Sequence, residues 1–285
     1  FRKSFPPLKA AGVSLFHSVA SFNNSGFDIL GGGQNLIPYQ DDVLLNVVTC
    51  ALVIFGGIGF LVIREVIAKR FRWKKLSMHA KVVLFMSLVL TAAGTVLLKL
   101  TEDITWMGAF FTSVSARTAG FSTFPLGSFS GAGLLTVIVL MVIGASPGST
   151  GGGIKTTTCY VLFEGIRSSA TNTSEKAFRY AVPADAFRKA AVITLLALGI
   201  VLTGTYILVI LEPGVPFLDA LFEMSSAFGT AGLSTGISTG LCDAAKLLTI
   251  LIMFIGRLGP LTIASLWYFT KGERVSFPEG NIAIG

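Results

Sequence analysis

The sequence predicts an all-α integral membrane protein assembled from repeated helix–loop–helix units. Only 13% of its 285 residues are charged and 52% are hydrophobic, against about 25% charged in a typical soluble domain. The chain therefore lacks the charge to cover a water-facing surface of its size. Long apolar runs recur, with basic residues clustered at their ends. Between the runs, one short glycine-centred motif appears three times. The net charge of +7 does not indicate nucleic acid, because it is spent at the ends of the apolar runs.

A helix needs about 20 apolar residues to cross a bilayer. Val43 to Ala68, Ala80 to Leu100, Phe187 to Leu211 and Ala244 to Phe269 each read as one span. Ala132 to Ile166 is long enough but is interrupted by Gly144-Ala-Ser-Pro-Gly-Ser-Thr-Gly-Gly-Gly153. Positive charge marks cytoplasmic connections. Arg64, Lys69, Arg70, Arg72, Lys74, Lys75 and Lys81 follow the first run. Arg167, Lys176, Arg179, Arg188 and Lys189 follow the interrupted one, and Lys271 and Arg274 the last. The intervening connections carry Glu102, Asp103, Glu212 and Asp219 and are placed outside. The start, with Arg2, Lys3 and Lys9, falls on the outer side and fits this scheme poorly.

Cys50, Cys159 and Cys242 lie far apart, in or beside apolar runs, and read as small buried side chains rather than a disulfide framework or zinc site. His17 and His79 have no carboxylate or cysteine at metal-ligand spacing. The chain starts at Phe1 without a Met or a signal-peptide pattern, and an incomplete N-terminus is expected.

The three motif copies carry the most information. Leu15-Phe-His-Ser-Val-Ala-Ser-Phe-Asn-Asn-Ser-Gly26-Phe-Asp is the first. Phe110-Phe-Thr-Ser-Val-Ser-Ala-Arg-Thr-Ala-Gly120-Phe-Ser-Thr and Leu221-Phe-Glu-Met-Ser-Ser-Ala-Phe-Gly-Thr-Ala-Gly232-Leu-Ser-Thr follow. Each offers an apolar helix too short to cross, then a glycine-centred stretch, then a full run. Internal repetition of this kind is common among membrane transport proteins. Non-helical backbone is tolerated at membrane depth only inside protein or along a watery cavity. A half-helix entering from outside points its negative dipole end inward, where it favours a cation. The following carbonyls can replace a hydration shell, and glycine supplies backbone conformations closed to other residues. Asn24, Thr118 and Thr230, two residues before each glycine, add polar support.

Asn23-Asn-Ser-Gly-Phe-Asp28, Ala116-Arg-Thr-Ala-Gly-Phe-Ser-Thr123 and Phe228-Gly-Thr-Ala-Gly-Leu-Ser-Thr235 resemble the filter segments of the Trk/Ktr/HKT superfamily of potassium transporters. The glycine-rich interruption is similar to that of the bacterial KtrB type. The resemblance implies pseudo-fourfold architecture, with four helix–pore-loop–helix repeats around a central ion pore. Three repeats' filters fall in this chain, in units 1–78, 79–180 and 181–285, while the first repeat and the outer helix of the second do not. The implied filter comprises Asn24, Ser25, Gly26 and Phe27, then Thr118, Ala119, Gly120 and Phe121, then Thr230, Ala231, Gly232 and Leu233. Potassium is the implied transported ion, carried by channel-like uptake across the plasma membrane without catalysis or a covalently bound cofactor. Sodium-preferring or sodium-coupled transport on the same scaffold is the alternative, with Na⁺ as activator or co-ion. Glycine at all three positions favours potassium, since sodium-selective relatives tend to carry serine at one. An alternating-access carrier for organic solutes would be signalled by substrate saturation and slow turnover.

The stretch Gly148-Ser-Thr-Gly-Gly-Gly153-Ile-Lys155-Thr156 also resembles a phosphate-binding loop. The required G-x-x-x-x-G-K-[ST] fails by one residue, because Ile154 separates glycine from lysine. Pro147 and the glycines instead read as unwinding a helix near mid-bilayer, leaving a flexible loop. Lys155 and Arg257 then fall inside spans, where charge faces the bundle interior or a watery cavity. Their bland readings are a snorkelling lysine and a cap on a broken helix. The resemblance implies a gate built from Gly144, Pro147, Gly148, Gly151, Gly152, Gly153 and Lys155, with Arg257 held against it. It also implies a homodimer in the lipid membrane and a cytosolic ring of nucleotide-binding RCK (KTN, KtrA-like) subunits. Loops 64–81 and 167–189 are either docking surfaces for that ring or ordinary positive-inside topology, and the tail Pro278 to Gly285 is a candidate dimer contact. Asp28 is either a cation attractor or a solvated loop carboxylate. Arg117 reads as holding the filter backbone from behind, and Glu223 as a packing or hydrogen-bonding partner.

Overall fold

The computed structural model describes residues 1, 4–31, 34–183, 185–259 and 262. Arg2, Lys3, Pro260, Lys271, Arg274, the end of the last apolar run and the tail Pro278 to Gly285 lie outside the described residues.

Helices dominate, and their starts follow from local chemistry. Helix α1 (Pro7–Phe22) opens on proline, whose missing N–H costs nothing in a first turn. Asp42, Ser77, Thr105 and Ser130 each accept a backbone N–H at the start of α2 (Val43–Ile58), α4 (Met78–Thr101), α5 (Trp106–Ala116) and α6 (Gly131–Val142). Helices α3 (Phe60–Ala68), α7 (Thr156–Thr171), α8 (Ala186–Leu211), α9 (Phe217–Gly229) and α10 (Asp243–Leu258) complete the set. A two-stranded antiparallel ribbon, β1 (Lys176–Ala177) with β2 (Tyr180–Ala181), lies between α7 and α8.

The element order repeats. A long helix (α4, α8), a short one (α5, α9) and a third (α6, interrupted before α7; α10) follow one another twice, and α1 with α2/α3 repeats the last two parts. Helices α4 and α8 have 24 and 26 residues and are long and apolar enough to cross a membrane. Leu195, Leu198, Leu202, Tyr206 and Ile210 form one exposed stripe along α8. A soluble monomer rarely tolerates so continuous an apolar surface, whereas lipid does. The short helices occupy the middle: almost every residue of α5 and of α9 beyond Leu221 is buried. Leu98, Val137, Met141 and Phe222 join α4, α6 and α9 in one cluster, and Cys50, Val53, Phe111 and Phe121 join α2 to α5 in another.

Glutamates fasten the long helices to α6 and α10. Glu102, just after α4, accepts from the N–H of Ser130 at 3.0 Å and from its hydroxyl at 2.6 Å. Glu212, just after α8, accepts from the N–H of Cys242 at 2.5 Å. Each carboxylate thus sits at a helix N-terminus, where negative charge is stabilised.

Two expectations require correction. The run Val43 to Ala68 is not one straight span: α2 and α3 meet at Gly59 with a bend of 96°. Gly59 has φ 94°, and an added Cβ would lie 2.7 Å from the Pro147 carbonyl. Helix α10 likewise stops at Gly259, with φ 90°. Both follow a G-x-x-G pattern, Gly56–Gly59 and Gly256–Gly259. Cysteines are not uniformly buried either, since Cys50 is buried, Cys159 partly so, and Cys242 exposed at the start of α10.

An added Cβ at Gly56 would stand 1.9 Å from the Phe22 carbonyl, and one at Gly256 1.9 Å from the Phe228 carbonyl. Gly199, inside α8, has open space in the same direction. Thermal unfolding in detergent therefore separates them. Gly56→Ala and Gly256→Ala lose about 1–3 kcal/mol or more to overpacking, while Gly199→Ala is neutral or gains about 0.5–1 kcal/mol.

Candidate functional site

The three short helices end in closely matched ways. At the end of α1, Ser25 N–H bonds the Ala20 carbonyl at 3.0 Å and Asn24 N–H bonds Ser21 at 3.2 Å. At the end of α9, Ala231 N–H bonds Ser226 at 2.9 Å and Thr230 N–H bonds Ala227 at 3.1 Å. These paired bonds are a Schellman termination, with Asn24 and Thr230 in the left-handed region at φ 51° and 50°. Helix α5 varies the theme: Ala119 N–H bonds Ser115 at 2.9 Å, and Thr118 has φ 72°. Glycine or asparagine usually fills such a position, and a β-branched residue there costs about 1–3 kcal/mol. Two positions on, Gly26, Gly120 and Gly232 also have positive φ, at 70°, 81° and 79°.

The glycines, 94 and 112 residues apart in sequence, meet in space. An added Cβ on Gly120 would lie 3.1 Å from Gly26 Cα, 3.4 Å from Gly232 Cα and 2.5 Å from the Ala231 carbonyl. One on Gly26 would lie 2.8 Å from the Ala119 carbonyl, and one on Gly232 would meet only Gly120, at 3.6 Å. The strands thus form a directed arc, each glycine turned toward the next strand. The negative dipole ends of α1, α5 and α9 adjoin this arc and favour a cation there. Of the residues after the glycines, Phe121 and Leu233 are buried and Phe27 is exposed.

Specific bonds brace the strands from behind. Ser115 Oγ donates to the Phe121 carbonyl at 2.5 Å. Asn35 accepts from Ser122 N–H at 3.3 Å and reaches the Gly120 carbonyl at 3.4 Å. Glu223, only 5% exposed on α9, accepts from the hydroxyls of Ser234 and Ser238. Beyond the glycines, Asn35, Ser122, Ser234 and Ser238, together with apolar side chains such as Phe124 and Leu126, line a cavity of about 410 Å³ whose described lining holds no carboxylate.

The interruption between α6 and α7 lies directly against the strands. An added Cβ on Gly151 would be 2.0 Å from Thr118 Oγ1, and one on Gly152 2.5 Å from Thr230 Oγ1. Both hydroxyls are buried with no hydrogen-bond partner among the described residues. The loop closes on itself through Ile154 N–H to the Val142 carbonyl, 3.0 Å, and Ala145 N–H to Gly152, 3.3 Å. It is tied to the α2/α3 bend by Ser146 N–H to Gly57, 3.1 Å, Thr150 N–H to Gly56, 3.3 Å, and Phe60 N–H to Gly148, 3.2 Å. Both suspected cations act on it. Lys155 Nζ donates to the Gly151 carbonyl at 2.8 Å and Arg257 to the Thr150 carbonyl at 2.5 Å. Gly144 and Gly153 pack on each other in the neck, and Pro147 and Gly148 face the bend.

Other expected residues stand apart. Asp28 accepts from Leu30 N–H at 3.0 Å, a local turn. Arg117 is buried, and its Nε has no hydrogen-bond partner among the described residues. Sequence reasoning missed Asn35 and the G-x-x-G break at Gly59. The second had a signal, the same spacing at Gly256–Gly259; the first had none.

The chain matches the family model described as TrkH, cation transport protein, over residues 7–102 and 71–270. It is 36% identical over 287 residues to the Ktr system potassium uptake protein B of Bacillus subtilis (strain 168), covering 96% of this chain and 63% of that protein. It is 34% identical over 306 residues to the potassium/sodium uptake protein NtpJ of Enterococcus hirae, covering 100% of this chain and 66% of that protein. The chain therefore spans a little under two thirds of the length of these relatives. The crystal structure of the potassium transporter TrkH from Vibrio parahaemolyticus has the same fold, with a TM-score of 0.74 at 20% identity, covering 92% of this chain and 60% of that one.

Glu223→Ala should leave two serine hydroxyls without their acceptor and lower the unfolding midpoint, at about 1–3 kcal/mol for unmade buried bonds. Glu223→Gln keeps an acceptor and should recover most of that loss in the same thermal melt.

Proposed function

The chain belongs to the TrkH family of cation transport proteins, and on that premise we propose that it forms the pore of a channel-like potassium uptake subunit of the plasma membrane. The observation that carries this reading is the meeting of Gly26, Gly120 and Gly232 with a loop seated on the threonines behind them. The carbonyls of Asn24 to Phe27, Thr118 to Phe121 and Thr230 to Leu233 replace the hydration shell of the ion. Thr118 and Thr230 supply the innermost ligands, which gives their unpaired hydroxyls a partner. The ion approaches through the cavity on the opposite side, which Asn35, Ser122, Ser234 and Ser238 help line. No bond is made or broken in transport, so the site needs no nucleophile and no general acid or base.

The loop 143–155 is the gate. Its glycine backbone passes where the ion must leave, and Lys155 and Arg257 hold it there through the Gly151 and Thr150 carbonyls. Those two charges also repel a cation below the filter. The names of the relatives from Bacillus subtilis speak of a Ktr system, which supports a partner subunit. We assign that role to a cytosolic nucleotide-binding ring and expect a homodimer. The NtpJ name includes sodium, so sodium-preferring or sodium-coupled transport is the second reading, against which the three glycines argue.

Flux in proteoliposomes of the full-length protein tests the filter. Wild type passes potassium in preference to sodium, and Gly120→Ser loses that preference. Comparable potassium and sodium flux, untouched by the substitution, would sink the assignment. Arg257→Ala removes one tether and one repelling charge and should raise potassium flux. Unchanged or lower flux in a well-folded variant counts against the gate.

A further inference from the structure

A second cavity, apolar and about 270 Å³ in volume, lies between α6, α7 and α8. Ile138, Val139 and Val142 form one wall, Cys159 and Leu162 another, and Thr194 and Leu198 the third. Ile143 and Ile154, the two residues bridged across the neck of the loop, complete the lining. It offers little to a polar guest. The Thr194 hydroxyl already donates to the Ala190 carbonyl at 2.9 Å, and a buried water needs two to four polar partners. Its surroundings are equally apolar: Val139 on α6, Phe163 on α7 and Leu195 on α8 are 48%, 67% and 70% exposed. These side chains belong to the lipid-facing surface that also carries the α8 stripe. The cavity is therefore open to hydrocarbon, at the depth of the loop.

We infer that this cavity takes a lipid acyl chain and that the chain braces the neck of the loop. An occupant entering from hydrocarbon must be apolar and narrow, and the bilayer supplies acyl chains in excess. The bracing follows from the neck's position and rests on the loop's being the gate. Ile154 N–H bonds the Val142 carbonyl at 3.0 Å, so Val142, Ile143 and Ile154 move together. For the loop to leave Thr118 and Thr230, these side chains must shift. An empty cavity gives them room, and a filled one does not. Occupancy therefore holds the loop seated.

The test uses the full-length protein in vesicles of a phospholipid bearing a mid-chain diazirine, with photolysis followed by peptide mapping. Label should be enriched several-fold on Cys159, Leu162 and Thr194 relative to outward Leu195 and Phe163. It should vanish from those lining positions in Cys159→Phe and in Leu198→Trp, two independent ways of filling the space. Equal labelling of lining and outward positions overturns the site, as does enrichment that survives both fillings. Potassium flux of the filled variants should fall several-fold. Wild-type flux in both, with the label lost, overturns the bracing. Failure of the gate reading itself shows separately, in Arg257→Ala, whose tether to Thr150 does not involve the cavity.

Discussion

Everything in this molecule depends on three backbones approaching one another more closely than side chains allow. Around Gly120, the alpha carbons of Gly26 and Gly232 stand about where a Cβ would begin to clash. Three left-handed glycines are needed for that, and each is delivered by a helix that ends in a left-handed residue of its own. The strained threonines at 118 and 230 persist because the surrounding packing over-determines them. Helices α5 and α9 are buried on nearly every side, and Ser115, Asn35 and Glu223 pin the strands that follow. The long helices, fastened by Glu102 and Glu212, supply the outer wall that keeps this inner layer in register.

A second close approach governs the other side of the arc. Glycines 151 and 152 can rest on the two threonine hydroxyls only because they have no side chain. Within the loop Ala145 and Ile154 are buried, and it is held by backbone bonds to Gly56, Gly57 and Phe60 and by two cationic side chains. An apolar cavity lies behind Ile143 and Ile154, at the neck of the loop.

Much of this was legible in the sequence. Helices α4 and α8 follow from apolar runs of spanning length, and the interruption between α6 and α7 from its proline and glycines. The three motif copies marked the arc because glycine recurs behind matching half-helices. The bend at Gly59 was not legible from hydropathy, since Gly56-Gly-Ile-Gly59 lies inside a run apolar enough for one helix. At the break Gly59 turns to φ 94° and Phe60 N–H bonds the Gly148 carbonyl of the loop, a contact of which the local sequence shows only the G-x-x-G spacing. The hold of Arg257 on Thr150, across 107 residues, is also non-local, and was expected only through the family resemblance.

The central claim is that the meeting point of the three glycines is where a dehydrated monovalent cation sits. Anomalous scattering from crystals of the full-length protein grown in thallium, a potassium mimic, tests this most directly. The account predicts thallium peaks ringed by the carbonyls around Gly26, Gly120 and Gly232, with the innermost within reach of Thr118 and Thr230. Thallium bound elsewhere, with none at that point, would contradict it.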